Sequence, residues 1–132
     1  MSTIYITIED VYVIHKRMVE IGGGSAGLRD MGLLHSAVER PKATFGGNDL
    51  YPNIFSKASA LLQSLMGNHP FEDGNKRTGF FSTLFFLEQN NIHICPSEKE
   101  IIQLCTVVVT KKYSIEQIAV WLEKHAKKEK KK

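Results

Sequence analysis

Apolar residues recur at helical spacing along most of the chain. Thr7 and Asp10 form a Thr-x-x-Asp capping box, and Ile8, Val11, Ile14, Met18 and Ile21 follow on one face until Gly22–Gly24 stop the helix. A short second helix is predicted from Asp30 to Arg40, with Leu33, Leu34, Ala37 and Val38 inward and Pro41 ending it. Residues 41–53 read as a loop or distorted hairpin. Ile54, Ala58, Leu61, Leu62, Leu65 and Met66 then make a well-marked helical face closed by Gly67. From Lys76 to Gln89 the phenylalanines and leucines at 80, 81 and 84–87 make the segment apolar nearly all round, which predicts a central helix buried between others. Asn90 and Asn91 end it. Capping boxes at Ser97/Glu100 and Ser114/Gln117 open two more helices, although the β-branched IIQLCTVVV after the first also suits a strand. The last helix turns Ile115, Ile118, Trp121 and Leu122 inward. Tyr5–Thr7 and Ile92–Cys95 are candidate short strands. The fold class expected from this pattern is mainly α.

Length and composition narrow the picture. At 132 residues with 42% hydrophobic and 23% charged content, one domain with a core of its own is expected. No apolar run is long enough for a transmembrane helix, and the N-terminus lacks the pattern of a signal peptide, so no membrane association and a cytoplasmic location are expected. Cys95 and Cys105 read as buried free thiols. Residues 123–132 carry six Lys and two Glu of the 17 basic and 14 acidic residues, leaving 11 and 12 in residues 1–122. The expected division is therefore a near-neutral domain over 1–122 and a Lys-rich, disordered tail over 123–132. No aromatic-interleaved basic stripe marks a nucleic-acid reader, so no direct nucleic-acid binding is expected.

Several signals lead nowhere. Gly22, Gly24 and Gly27 satisfy G-x-G-x-x-G, but a helix precedes them where a dinucleotide fold needs a strand, which leaves a flexible loop between helices. The five His lack zinc-ligand spacing, and no nucleophile elbow or P-loop string occurs.

The densest chemistry is HPFEDGNKRTG, residues 69–79, between two apolar helices. A helix N-terminus offers unpaired N–H groups and partial positive charge, a ready anion site. Gly74 lets backbone approach a ligand closely, and Asn75 tolerates a turn conformation. Lys76 and Arg77 put two cations on the first turn, against the helix dipole by roughly 0.3–1 kcal/mol each. A bound phosphate would resolve that conflict; side chains reaching out to water would also do so. Asp73 suits Mg²⁺, which takes one or two carboxylates plus substrate phosphates, and it also suits an N-cap. Its neighbour Glu72 reads as solvated. His69 can accept a proton near neutral pH, and Phe71 reads as a buried anchor for the loop. Base, metal ligand, phosphate cradle and charge clamp are the parts of a phosphoryl-transfer site.

N-H-P-F-E-D-G-N-K-R-T-G, residues 68–79, resembles the signature of the Fic/Doc family, with Asn68 and Phe71 as motif anchors. The likeness extends upstream to GLRDMGLLHSAVERP, residues 27–41, and downstream through the Phe-rich helix. The family pattern is His-Pro-Phe-x-x-Gly-Asn-Gly-Arg-x-x-Arg, and its usual reaction moves AMP from ATP to a target hydroxyl. Here Lys76 stands in place of the second Gly and Phe80 in place of the second Arg, departures that resemble the death-on-curing (Doc) toxin subgroup. The resemblance implies a compact helical fold with a target-aligning flap at residues 41–53, carried by Lys42, Ala43, Thr44, Phe45, Gly46 and Gly47. It implies ATP and Mg²⁺ as cofactors, His69 as general base, Asp73 as Mg²⁺ ligand, and Gly74, Asn75, Lys76 and Arg77 as the phosphate site. It also implies γ-phosphate transfer to a threonine of elongation factor Tu, arresting translation. The inhibitory string [S/T]-x-x-x-E-[G/N] of many Fic proteins does not occur, which points to a separate, Phd-like antitoxin that blocks the site in trans through a segment that folds into a groove. AMP transfer to another target is the rival reaction, and a non-catalytic nucleotide-binding module the rival class.

Overall fold

Local capping sets where the helices start. The computed structural model describes residues 2–128. α1 spans Ile8–Gly22, α2 Met31–Glu39, α3 Ile54–Gly67, α4 Asn75–Gln89, α5 Glu98–Val109 and α6 Ile115–Lys124. At Thr7, Ser97 and Ser114 both halves of the expected capping box form, and Asn53 with Ser56 adds a fourth. The capping signal at Ser97 thus outweighs β-branching, and α5 is helix. α2 ends before Pro41, as read, and a 3-10 turn, Arg40–Lys42, carries the coil on from it.

α3 is the central element, packed against α2, α4, α5, α6 and the 3-10 turn, while α1 lies on the far side of α4. Ala58, Leu61, Leu62, Leu65 and Met66 of α3 are fully or almost fully buried, as are Leu34, Leu104, Ile118 and Leu122 from its neighbours. Gly79 lets α4 come close to α3, since a Cβ there would lie 2.9 Å from Met66 Cγ. The all-round burial expected for α4 does not hold. Phe80, Phe86 and Leu87 are buried, but Phe81 and Phe85 are 39% and 37% exposed, while Thr78, Ser82 and Thr83 point inward. Small hydroxyl side chains occupy the close-packed face, and the outward phenylalanines border an apolar groove with Val13, Ile14 and Met18 of α1. No described helix is long and apolar enough to cross a membrane.

Residues 41–53 do hold a hairpin. β1, Thr44–Phe45, pairs antiparallel with β2, Asn48–Asp49. Gly46 and Gly47 take φ of +60° and +82°, the two left-handed positions a two-residue hairpin turn needs. Lys57, 3% exposed, ties the hairpin to α3 by donating to Asp49 Oδ2 at 3.1 Å and to the Tyr51 carbonyl at 2.7 Å.

Three expectations are corrected here. Tyr5–Thr7 is not a strand; the N-terminal segment is fastened by Asn90, which bonds both the N–H and the carbonyl of Ile4. Cys95 is exposed and Cys105 is half-buried, though both thiols are free, and burial pushes the Cys105 thiol up from its usual value. Residues 123–128 are not a tail. α6 runs through Lys124, and Ala126–Lys128 forms β4, antiparallel to β3 (Ile92–Ile94). Strand pairing to an otherwise unpartnered edge gives this Lys-rich segment a structure that its composition opposes. Residues 129–132 of the expected tail lie outside the described residues.

His125 links α6 to β4. Its ring stacks on Trp121 at 3.9 Å, and its Nε2 bonds Glu100 Oε2 at 2.8 Å. The Ser97 N–H at 2.8 Å, and then His125, hold the Glu100 carboxyl at about 2, below its ordinary 4.5. A depressed carboxyl stabilises the fold above its unfolded value, and that contribution is lost as pH falls from about 4.5 toward about 2. Urea midpoints measured across this window should fall in the wild type, and Glu100→Gln should flatten that part of the profile.

Candidate active site

α3 ends at Gly67 and α4 begins at Asn75, so the signature forms the turn between the two most buried helices. Two residues of this turn are left-handed, Gly74 at φ +75° and His69 at φ +50°. Glycine takes that conformation freely; for His it is strained by about 1–3 kcal/mol and persists only where the surroundings fix it. Arg29 supplies much of that constraint. Its Nε donates to the His69 carbonyl at 2.6 Å and its Nη2 to the Asn68 carbonyl at 2.8 Å. The N–H groups of Arg29 and Asp30 both donate to the Pro70 carbonyl, and Glu72 N–H donates to the Gly27 carbonyl.

Phe71 is the internal anchor, 1% exposed. His15, also 1% exposed, stacks on it with ring centroids 3.7 Å apart, and donates from Nε2 to the Asp73 carbonyl at 2.7 Å. Asn75 is 8% exposed; its Oδ1 accepts from Phe71 N–H at 3.0 Å and its Nδ2 donates to the Phe71 carbonyl at 2.9 Å. The turn conformation expected of Asn75 falls to His69 and Gly74 instead. Asn75 is helical, and its side chain serves the loop, so only its backbone N–H is left to face an anion.

His69, Asp73, Lys76 and Arg77 are exposed around a hollow of about 410 Å³, lined also by Glu72, Gly74 and Asn75. No side chain caps the N-terminus of α4, so its first amides stay open. Asn75 Nδ2 lies 3.4 Å from His69 Nδ1. An amide NH₂ only donates, so Nδ1 is the bare nitrogen in this pose and the neutral ring carries its proton at Nε2. Proton acceptance at Nε2 requires the other tautomer, and a contact this long costs little to release.

Neither Lys76 nor Arg77 is paired with a carboxylate among the described residues. Arg77 nevertheless has a seat: a Cβ at Gly22 would overlap its guanidinium, which rests against the C-terminal end of α1. That helix end carries partial negative charge, so half of the conflict read at the start of α4 is answered by α1. Lys76 has no such answer. Asp73 Oδ2 accepts from Ser25 N–H at 3.0 Å, and Glu72 Oε1 accepts from the Ser25 hydroxyl at 2.6 Å, so Glu72 is tethered as well as solvated. No group of three or more His, Cys, Asp or Glu among the described residues is arranged to hold a metal by itself. Asp73 alone fits Mg²⁺ in the way that ion is held beside phosphates, by one carboxylate with the rest from substrate and water.

A second hollow of about 350 Å³ shares His69 and Asn68, and is bounded by Arg40, Gln63, Lys111 and Tyr113. Arg40 is fixed there by bonds to Gln63, Ser64 and Tyr51, and the hairpin of residues 44–49 follows directly from its 3-10 turn. Lys42 ends that turn, paired with Glu39 at 3.0 Å, and Thr44–Gly47 are exposed.

A sequence model of the family described as Fic/DOC matches residues 5–87, more than half of the chain. The chain belongs to the Fic/DOC family. Over 72 residues it is 50% identical to "Toxin Doc" of Mycolicibacterium smegmatis, a stretch covering 54% of this chain and 55% of that protein. The chain thus spans little more than half the length of that relative. Over 115 residues it is 26% identical to "Protein kinase doc" of Escherichia phage P1, covering 87% and 90% of the two. In this Fic/DOC chain the position of the signature's second Arg is filled by Phe80, 1% exposed and edge-on to Phe81. It is a core residue and offers no charge to a phosphate.

Sequence reading missed His15, Ser25 and Arg29. Arg29 lies inside the upstream stretch GLRD that carries the family likeness, which was its only signal. A lone His on a helix reads as ordinary core, and Ser25 sits among glycines read as a mere linker.

Proposed function

We propose that this chain is a Doc-type toxin, a protein kinase that transfers the γ-phosphate of ATP to a threonine of elongation factor Tu. The observation that carries this reading is the strained His69 fixed beside Asp73, Lys76 and Arg77 at the open N-terminus of α4, with a buried Phe80 in place of a second arginine. The printed names of the two relatives, a toxin and a protein kinase, support it.

The residues act as follows. His69 takes the proton of the target hydroxyl as its oxygen bonds the γ-phosphorus and ADP departs with the electrons of the broken P–O bond. The open amides of α4 hold phosphate oxygens, and Lys76 and Arg77 offset the charge gathering on them. Asp73 is the carboxylate available to Mg²⁺, which when bound neutralises charge between the phosphates. The flap at residues 42–47, which carries β1 and the turn of the hairpin, aligns an extended target segment beside His69. The apolar groove between α1 and α4, edged by Arg17 and Glu88, is the face offered to a Phd-like antitoxin, since outward phenylalanines of this kind mark a partner surface.

Lys76→Gly separates this reading from AMP transfer. The variant restores the general Fic signature and removes a phosphate cation. The kinase reading expects γ-phosphate transfer to drop roughly tenfold or more, without gain of AMP transfer. Increased transfer of AMP label would favour the rival reaction.

A further inference from the structure

The glycine run 22–27, which matches no dinucleotide fold, has a physical use that its pattern did not suggest. Each of its three pattern glycines leaves space for one side chain of the signature. A Cβ at Gly22 would overlap the Arg77 guanidinium, and a Cβ at Gly27 would overlap the Glu72 carboxylate. A Cβ at Gly24 would lie 3.2 Å from Asp73 Cβ, at a φ of +104° that side chains rarely adopt. Between them, the Ser25 N–H holds one oxygen of Asp73 at 3.0 Å. The loop therefore contacts in turn the cation, the metal-fitting carboxylate and its acidic neighbour.

We infer that Gly22–Ser25 is a positioning element of the site, in which Gly24 and the Ser25 amide aim the Asp73 carboxylate and Gly22 seats the Arg77 guanidinium. The inference rests on the nucleotide-site reading above and extends it to residues outside the signature. An amide bond to one carboxylate oxygen leaves the other directed by that bond, as outer groups direct metal ligands elsewhere. A seat for Arg77 against α1 fixes a long side chain that would otherwise lose rotamer freedom on meeting a phosphate.

The three glycines then predict three different outcomes. Gly24→Ala displaces Asp73 and should weaken the Mg²⁺-dependent part of ATP binding tenfold or more, as loss of an outer partner commonly does. Gly22→Ala displaces only the far end of Arg77, and should weaken ATP binding with and without Mg²⁺ alike. Gly27→Ala lies outside that element and displaces Glu72, a carboxylate at the rim of the hollow to which the proposed transfer gives no role, and should leave both within about twofold, a margin set well below the tenfold effect. The measurement is calorimetric titration of the full chain with ATP, with and without Mg²⁺, beside a thermal melt of each variant. Gly24→Ala keeping the wild-type Mg²⁺ dependence, or all three variants losing binding equally, overturns the inference. Should Gly24→Ala fail to fold, Gly22→Ala decides it: unaltered metal-free binding counts against the seat. A wild type that gains nothing from Mg²⁺ sinks the nucleotide-site reading first and the inference with it, and that failure shows in the unmutated chain.

Discussion

His69→Ala is expected to lower phosphate transfer by about 10²–10⁴-fold, the usual worth of a positioned general base, while the protein melts close to the wild-type temperature. The two halves of that expectation come from the same geometry. The ring is exposed, and among the described residues its side chain makes only the long 3.4 Å approach to Asn75, so its removal leaves no buried group unpaired. The backbone is held through the His69 carbonyl by Arg29, and alanine keeps that carbonyl. His69→Gly should be equally inactive and somewhat more stable, because glycine accepts the φ of +50° without strain. Transfer assays and thermal melts on the two variants test this together. Retained transfer in His69→Ala would remove the base from the account, and a large drop in melting temperature would mean the ring is structural.

Asn75→Ala should be the most destabilising single change in the site, at about 2–6 kcal/mol. Its side chain closes a two-bond clasp on Phe71, pairing a backbone N–H and a carbonyl that lie in the interior. Alanine leaves both groups buried without partners, each costing roughly 1–3 kcal/mol. The loosened loop also frees His69 and the carbonyl of Asp73, so activity falls with stability. Asn75→Asp keeps the acceptor for Phe71 N–H and should lose less than alanine does, although it faces the Phe71 carbonyl with a like dipole. Urea denaturation gives the comparison. A loss for Asn75→Ala under about 1 kcal/mol, a single ordinary hydrogen bond, would show that solvent replaces the clasp.

The helical ends were readable because capping is local: Thr7, Ser97 and Ser114 each carry their partner three residues on, and each box forms. The signature was readable for a similar reason, since its chemistry is concentrated in eleven successive positions, and Phe71 among them is buried as read. What the sequence did not disclose depends on partners far along the chain. His15 lies 58 positions from Asp73, and Arg29 lies 40 from His69. The glycine pattern at 22–27 became meaningful only against residues 72–77. In α4 hydrophobicity alone does not tell which phenylalanine faces a close neighbour helix; backbone proximity at Gly79 selects small polar residues inward and turns Phe81 and Phe85 out. β4 was hidden because Ala-Lys-Lys has little strand preference of its own, and the edge of β3 imposes one.

The most direct test of the account is a label-transfer experiment. The purified chain is incubated with Mg²⁺, elongation factor Tu and ATP labelled at either the γ- or the α-phosphate, with His69→Ala as the control. Label is expected on elongation factor Tu from the γ position only, and none from the His69→Ala protein. Label arriving from the α position would contradict the kinase reading and make the chain an AMP transferase.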